Sequence, residues 1–396
     1  MKLPKHSCPF AASSVAALTL LMSHAAGALD LDIHGAMAQG LVYSEGNEVI
    51  SGSEDFSTDL NEVALNARTV IGGNALLSGQ LLSRRFGDAA DGTLRVDFLQ
   101  LDYQRPVSAR TNLGGRAGRV KNPYGLYNTT RDVVFSRPGI TMPSSVYFEG
   151  AGLRDLFFSS DGIQLYGTHL GPHLTHEFTI GATLYDGDSE SAFGALLPPG
   201  SQGDIDIEDF IQAQWLVEAS GGTGLRGGLS YLGARLDYQS DNPSSDPLVG
   251  TSLDADLYVA SLQWRAQNYE LTAEYRLADV ATESPFGSEK IDSDGAYVQY
   301  RRFLDSGASW YLRFDASFAN RNDRDGRSFA QSTGQPRFSQ FAYHHVLGWR
   351  SAPAQNWGLF AEYHYVDGTE GQGASAAQVP MERYTQAIYL MLAYRF

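Results

Sequence analysis

From Trp310 to Phe318 the chain changes character at every residue. Trp310, Leu312, Phe314, Ala316 and Phe318 form an apolar series, with Tyr311, Arg313, Asp315 and Ser317 between them. The stretch Tyr269 to Leu277 does the same: Tyr269, Leu271, Ala273, Tyr275 and Leu277 alternate with Glu270, Thr272, Glu274 and Arg276. A period of two puts the two series on opposite faces of a β-strand. The pattern recurs along the sequence, and nowhere after the N-terminal leader are there about 18 consecutive apolar residues of the kind a spanning helix needs.

Marking each alternating stretch predicts sixteen strands, at 31–44, 61–72, 75–86, 93–104, 111–121, 161–169, 173–185, 207–219, 223–238, 252–266, 268–280, 293–303, 307–320, 339–351, 355–366 and 384–396. The spacers alternate too, short ones such as Gly72-Gly73-Asn74 and Leu170-Gly171-Pro172 taking turns with long ones. A soluble β-sandwich explains alternation but not this rhythm. An all-β, transmembrane antiparallel up-and-down β-barrel explains both. In hydrocarbon every backbone N–H and C=O must find a partner, so the sheet has to close on itself. About eight strands leave an interior filled by side chains, whereas sixteen leave room for an aqueous channel.

The N-terminus is consistent with export. Lys2 and Lys5 precede an apolar stretch from Phe10 to Met22, and Ala26-Gly27-Ala28 has the form of a cleavage site, so residues 1–28 are expected to be a signal peptide and 29–396 a single barrel domain. The one cysteine, Cys8, falls in the leader, so the remaining chain uses no disulfide. The formal charge of −16 argues against nucleic acid as a partner, since phosphate backbones require a basic footprint. That acidity is local. The eight long spacers carry 25 acidic and 9 basic residues, while the fifth strand has Arg116, Arg119 and Lys121 and no acid.

The longest spacer, 122–160, is the third long loop. It holds the apolar clusters Tyr124 to Tyr127, Val133 to Phe135, Val146 to Phe148 and Leu156 to Phe158. A loop of this length is usually functional or disordered, and this one is too aromatic for disorder. Folding inward against the barrel wall would cover it. Sixteen strands with an enlarged third loop resemble the Gram-negative porins, in which that loop enters the barrel and narrows it. The stretch Gly118-Arg119-Val120-Lys121-Asn122-Pro123-Tyr124-Gly125 is similar to the G-R-x-K-x-P-x-G stretch that opens this loop in porins related to the phosphate-selective group. The last strand, with Ile388, Leu390, Leu392, Tyr394 and Phe396 on one face, resembles the C-terminal signature read by the barrel-insertion machinery. The resemblance implies the bacterial outer membrane, contact with its lipid and lipopolysaccharide, and a homotrimer.

Strand parity places Arg68, Arg84, Arg276, Arg301, Arg313 and Arg350 on the lumen wall, with Glu62, Glu270, Glu274, Asp315 and Glu362. One of Arg84 and Arg85 is expected to meet a headgroup or an acid near a rim. The expected constriction sets Arg119, Lys121, Arg131, Arg137 and Arg154 against Asp132, Glu149 and Asp155, creating a transverse field that favours polar solutes. Arg131-Asp132 and Arg154-Asp155 are equally readable as pairs that tie the loop to the wall, because the guanidinium fork suits carboxylates. His344 and His345 are adjacent in a strand and point to opposite faces, so they cannot chelate together. No serine shares a rim with a histidine base, and no metal or cofactor motif is present. The expected function is a non-enzymatic, water-filled channel for small polar or charged solutes, leaning towards anions. The alternative is a substrate-specific channel for carboxylates, phosphate or sugars.

Overall fold

A computed structural model describes residues 30–87, 90–147, 149, 157–183, 203–220, 224–371 and 381–396. The expected signal peptide, 1–28, lies outside the described residues. Sixteen strands follow in chain order: β1 (Leu31–Glu45), β2 (Leu60–Ile71), β3 (Ala75–Phe86), β4 (Asp91–Ser108), β5 (Thr111–Lys121), β6 (Ser159–Leu170), β7 (Leu174–Thr183) and β8 (Gly203–Ala219) make the first half. The second half is β9 (Leu225–Ser240), β10 (Ser252–Arg265), β11 (Tyr269–Ser284), β12 (Gly287–Phe303), β13 (Ser309–Phe318), β14 (Phe341–Ala354), β15 (Trp357–Gly368) and β16 (Tyr384–Arg395). Each strand pairs antiparallel with its sequence neighbours, and β16 closes on β1. The seam is sealed at the chain terminus, where Gly35 and Phe396 exchange backbone hydrogen bonds of 3.0 and 3.1 Å.

The alternation sorts side chains as the barrel requires. On β13, Leu312 and Phe314 are 51% and 45% exposed on the outer face, while Tyr311, Arg313, Asp315 and Ser317 are buried inside. All five tryptophans, Trp215, Trp264, Trp310, Trp349 and Trp357, sit on outward positions towards the short-turn end. Around that rim Trp264, Tyr269, Tyr300 and Trp310 form a chain of ring contacts, and Trp357, Tyr394 and Phe396 form another. An indole has an apolar body and one N–H, which suits the boundary between hydrocarbon and water.

One expected loop is strand. The spacer 281–292 continues the β11–β12 ladder until Ser284 pairs with Gly287, leaving Pro285 and Phe286 as the turn. Apart from Ala281 and Ile291 its paired residues are polar or glycine, so no alternation marks them. A membrane strand needs only about 9–11 residues, and this hairpin runs on beyond that depth. The loop before β14 carries a short helix, α1 (Arg327–Thr333), whose first turn is held by Asp323 accepting from the N–H groups of Ser328 and Phe329.

Candidate functional site

The third long loop, here called L3, is inside the barrel over its described residues 122–147, 149, 157 and 158. Its neck is tied by Asn128, whose amide donates to the carbonyls of Asn122 at 2.9 Å and Phe157 at 2.8 Å. Ser160 donates to the Asn122 side chain at 2.8 Å. Both glycines that frame the loop entrance have a steric reason. Gly118 has φ 115°, and a Cβ there would lie 2.4 Å from the Leu99 carbonyl oxygen. Gly125 has φ 56°, and its Cβ would lie 2.5 Å from the Tyr147 hydroxyl. Positive φ and close approach are both open to glycine alone.

The apolar clusters of L3 meet an inner wall that is apolar where they land. Tyr124, Met142, Val146, Tyr147 and Phe157 pack with the inward Phe210, Leu232, Leu236 and Leu257, and Val134 and Ile140 pack with Val42, Phe360 and Met391. The lumen face is therefore not polar along every strand, as alternation alone suggests. Under the loop, the inward Leu232, Ala234, Leu236, Ala255 and Leu257 are apolar because L3 covers them, while outward neighbours such as Arg235 and Asp254 are exposed.

Polar wall residues grip the loop's backbone. Arg276 donates to the Ser145 carbonyl at 2.7 Å, Arg313 to that of Thr141 at 3.1 Å, and Arg350 to that of Phe135 at 3.2 Å. Arg301 donates to the Pro138 carbonyl. Carboxylates take the loop's N–H groups: Glu362 accepts from Ile140 at 2.7 Å and Thr141 at 3.2 Å, Glu274 from Leu126 at 2.9 Å, and Asp315 from Ser145 at 3.2 Å. Glu274 also accepts from the hydroxyls of Tyr147, Tyr297 and Ser261 at 2.6–2.7 Å. A loop without regular structure needs such partners for its buried backbone.

The expected opposition of basic and acidic sides becomes direct pairing. Arg131 meets Glu149 at 2.7 Å, Arg84 meets Glu149 at 2.6 Å and Glu62 at 3.5 Å, and Arg137 meets Glu62 at 2.6 Å. These five residues form one chain of alternating charge from the loop to β2 and β3. Lys121 bridges Asp97 at 3.2 Å and Asp132 at 3.0 Å. Arg131 thus pairs with Glu149 and not with its sequence neighbour Asp132. Arg154 and Asp155 lie outside the described residues.

Arg119 is placed differently from Lys121. In the β4–β5 and β5–β6 ladders it stands opposite Leu99 and Asp161, and it pairs with Asp161 at 3.1 Å. Directly paired residues share a face, and Leu99 is 53% exposed on the outer one. Lys121, at the strand end where the chain turns into L3, reaches the inner set instead. Arg68 keeps the inward parity but sits near the short-turn rim, 2.6 Å from Asp32 and exposed. Arg85 is the member of the Arg84-Arg85 pair that faces out, meeting Asp59 at 2.9 Å.

On the short-turn side of L3 the lumen opens into two cavities of about 460 and 580 Å3, which share Phe135, Ser136 and Arg395. Two of their lining residues, Arg265 and Arg395, were missing from the sequence expectations. Parity could have found Arg395, which follows the outward Tyr394 and precedes the terminal Phe396.

No protein-family model matches the sequence, and neither does any curated protein. Solved structures do match. An anion-selective porin from Comamonas acidovorans superposes with a TM-score of 0.58 at 12% identity, over 93% of this chain and 100% of the other. OmpF of Salmonella typhi, in a complex with daunomycin, gives 0.58 at 15% identity over 92% and 97%. The outer-membrane channel DcaP of Acinetobacter baumannii gives 0.56 at 13% identity over 93% and 97%. The fold is the porin fold. It is a fold of the bacterial outer membrane, and the apolar outer face and the tryptophan rim are what a porin barrel needs there. At these identities the likeness lies in the architecture, so the side chains of this barrel are interpreted from their own geometry.

Proposed function

We propose that the protein is a non-enzymatic outer-membrane channel, through which small polar or charged solutes diffuse passively with a lean towards anions. One observation carries this reading: a long loop is fastened inside a closed sixteen-stranded barrel by arginines and carboxylates of the wall. A loop held by both its backbone and its side chains makes a rigid narrowing, and rigidity is what lets a narrow point sort solutes by size and charge. In this proposal Lys121, Arg131, Asp132, Arg137 and Glu149 shape the narrowing, and 1–28 are the signal peptide.

The lean towards anions rests on the residues around the two cavities, where guanidinium groups outnumber carboxylates. The Comamonas porin is itself described as anion-selective. A homotrimer in lipid and lipopolysaccharide, inserted by way of the Phe396 strand, belongs to the same proposal; an OmpT structure from Vibrio cholerae that shares the fold is described in a trimer form.

Purified protein in planar bilayers tests the channel. Ohmic current steps, with a reversal potential in a salt gradient displaced towards that of the anion, are the expected result. Protein that inserts and never conducts overturns it.

A further inference from the structure

The 460 Å3 cavity combines excess positive charge with aromatic walls. Five guanidiniums line it, those of Arg137, Arg265, Arg301, Arg350 and Arg395, against a single carboxylate, Glu270. Glu62 matches Arg137 at 2.6 Å, and Glu270 lies 3.8 Å from Arg265 and 4.0 Å from Arg301. Among the described residues no carboxylate lies within ion-pair distance of Arg350 or Arg395. Their charges face the cavity without a counterion among the described residues.

The same arginines are stacked on rings. Arg350 lies over Phe360 at 5.0 Å, Arg395 over Phe135 at 5.1 Å, and Arg265 over Phe303 at 5.1 Å. Stacking covers a guanidinium's face and fixes its plane, which leaves the in-plane N–H edge to bond, and Arg350 spends one N–H of that edge on the Phe135 carbonyl. That edge matches a carboxylate through two parallel hydrogen bonds. Phe360 is buried beneath Arg350, and the partly exposed Phe135 offers apolar surface to whatever the carboxylate is attached to. The volume falls in the range of small-molecule sites, about 300–1,000 Å3. An inorganic anion would answer the charge and leave the rings unmatched; a neutral aromatic would do the reverse.

We infer that this cavity is a binding site for small aromatic carboxylates, held by Arg350 and Arg395 with the ring of the solute against Phe135. The site deepens the channel proposal, and it rests on that reading only for its role in transport. Occupied from the short-turn side, it would concentrate such solutes next to the narrowing.

The probe is benzoate, with inorganic phosphate, succinate and benzamide as controls. Calorimetry on the detergent-solubilised protein measures binding without requiring conduction, and bilayer recordings measure block of chloride current. Benzoate should bind and block at concentrations about tenfold lower than any control, a difference of about 1.4 kcal/mol. R350Q combined with R395Q should remove that preference in the calorimetry. R350K, which keeps the charge but not the fork, should weaken benzoate more than phosphate. Phosphate or succinate equal to benzoate overturns the aromatic part, and benzamide equal to benzoate overturns the role of the arginines. A channel that conducts normally but shows no benzoate preference rejects the site alone. A silent channel that binds benzoate rejects the transport reading alone.

Discussion

Glu362 of β15 and Ile140 of L3 are joined by a 2.7 Å hydrogen bond, the backbone N–H donating to the carboxylate. The same carboxylate accepts from the Thr141 N–H at 3.2 Å and the Thr141 hydroxyl at 2.9 Å, and from Tyr311 and His364 of the wall. One side chain thus satisfies the loop's backbone at the point where it passes the inner wall. Glu362→Ala leaves these donors buried without a partner, at about 1–3 kcal/mol for each group stranded. The barrel itself, closed by its own ladders, should survive. The expected result is a conducting channel with larger current fluctuations and an L3 that proteases reach more readily. Glu362→Gln, which keeps acceptor capacity, should fall between. Recordings from Glu362→Ala that match the wild type would count against the clamp.

The chain of charge from Arg131 through Glu149, Arg84 and Glu62 to Arg137 predicts strong coupling. Arg84 is buried between two carboxylates. Its removal leaves both with one cation fewer, a loss of about 3–5 kcal/mol for a broken buried pair. A double-mutant cycle of Arg84→Ala and Glu149→Ala, followed by thermal unfolding in detergent, should give an interaction energy of about 0.5–3 kcal/mol. Additive effects would mean that the two side chains are neighbours without being partners.

Lys121 and Arg119 should differ in selectivity. Lys121 sits among Asp97, Asp132 and Gln80 on the inner side, whereas Arg119 is on the outer face beside Asp161. Lys121→Ala exposes two acids to the lumen and should shift the reversal potential towards cations. Arg119→Ala should leave it unchanged. A shift with Arg119→Ala would place its charge in the permeation path after all.

Strand positions were legible because alternation reports burial on one face at a time, and the barrel keeps one face in lipid throughout. The parity of Arg276, Arg301, Arg313 and Arg350 followed from it. What those arginines touch did not, since their acceptors are carbonyls of L3 and every residue carries a carbonyl. Pairing within the loop was hidden for a related reason. Arg131 and Asp132 are adjacent in sequence, but the loop backbone sends one to Glu149 and the other to Lys121. Arg119 fell outside the expected constriction because it keeps the outward parity of β5, whereas Lys121, at the turn into the lumen, no longer follows the strand's alternation. The apolar inner surface of β9 was visible as Leu232, Ala234 and Leu236 but had no interpretation until the loop's aromatic clusters were seen against it.

The five tryptophans give a test of orientation in the bilayer. All lie on the outer face at the short-turn end. In vesicles with lipids brominated at defined acyl positions, tryptophan emission should therefore be quenched best by bromines near the headgroups. Replacing Trp264 and Trp310 together should lower the signal without changing that depth preference. Quenching strongest at the bilayer centre would mean that the hydrophobic belt lies elsewhere on the barrel.

Asp132 makes the loop's attachment depend on pH in a defined direction. Burial in L3 pushes its carboxyl up, but the Lys121 ammonium and the hydrogen bonds from Lys121 and Gln80 outweigh burial and hold it below the usual range. A depressed value means that the pair stabilises the docked loop at every pH above the ordinary carboxylate value, about 4. The contribution disappears only as pH falls through the depressed value. Wild-type conductance should therefore hold steady from about pH 8 to about pH 5 as far as this contact governs it. Lys121→Met deletes the groups that hold the carboxyl down and leaves the burial that pushes it up, so an acid-driven change in conductance should move to higher pH. Other carboxylates titrate in both proteins, and the difference between the two pH profiles isolates Asp132. Coincident profiles would show that Lys121 does not control the charge of Asp132.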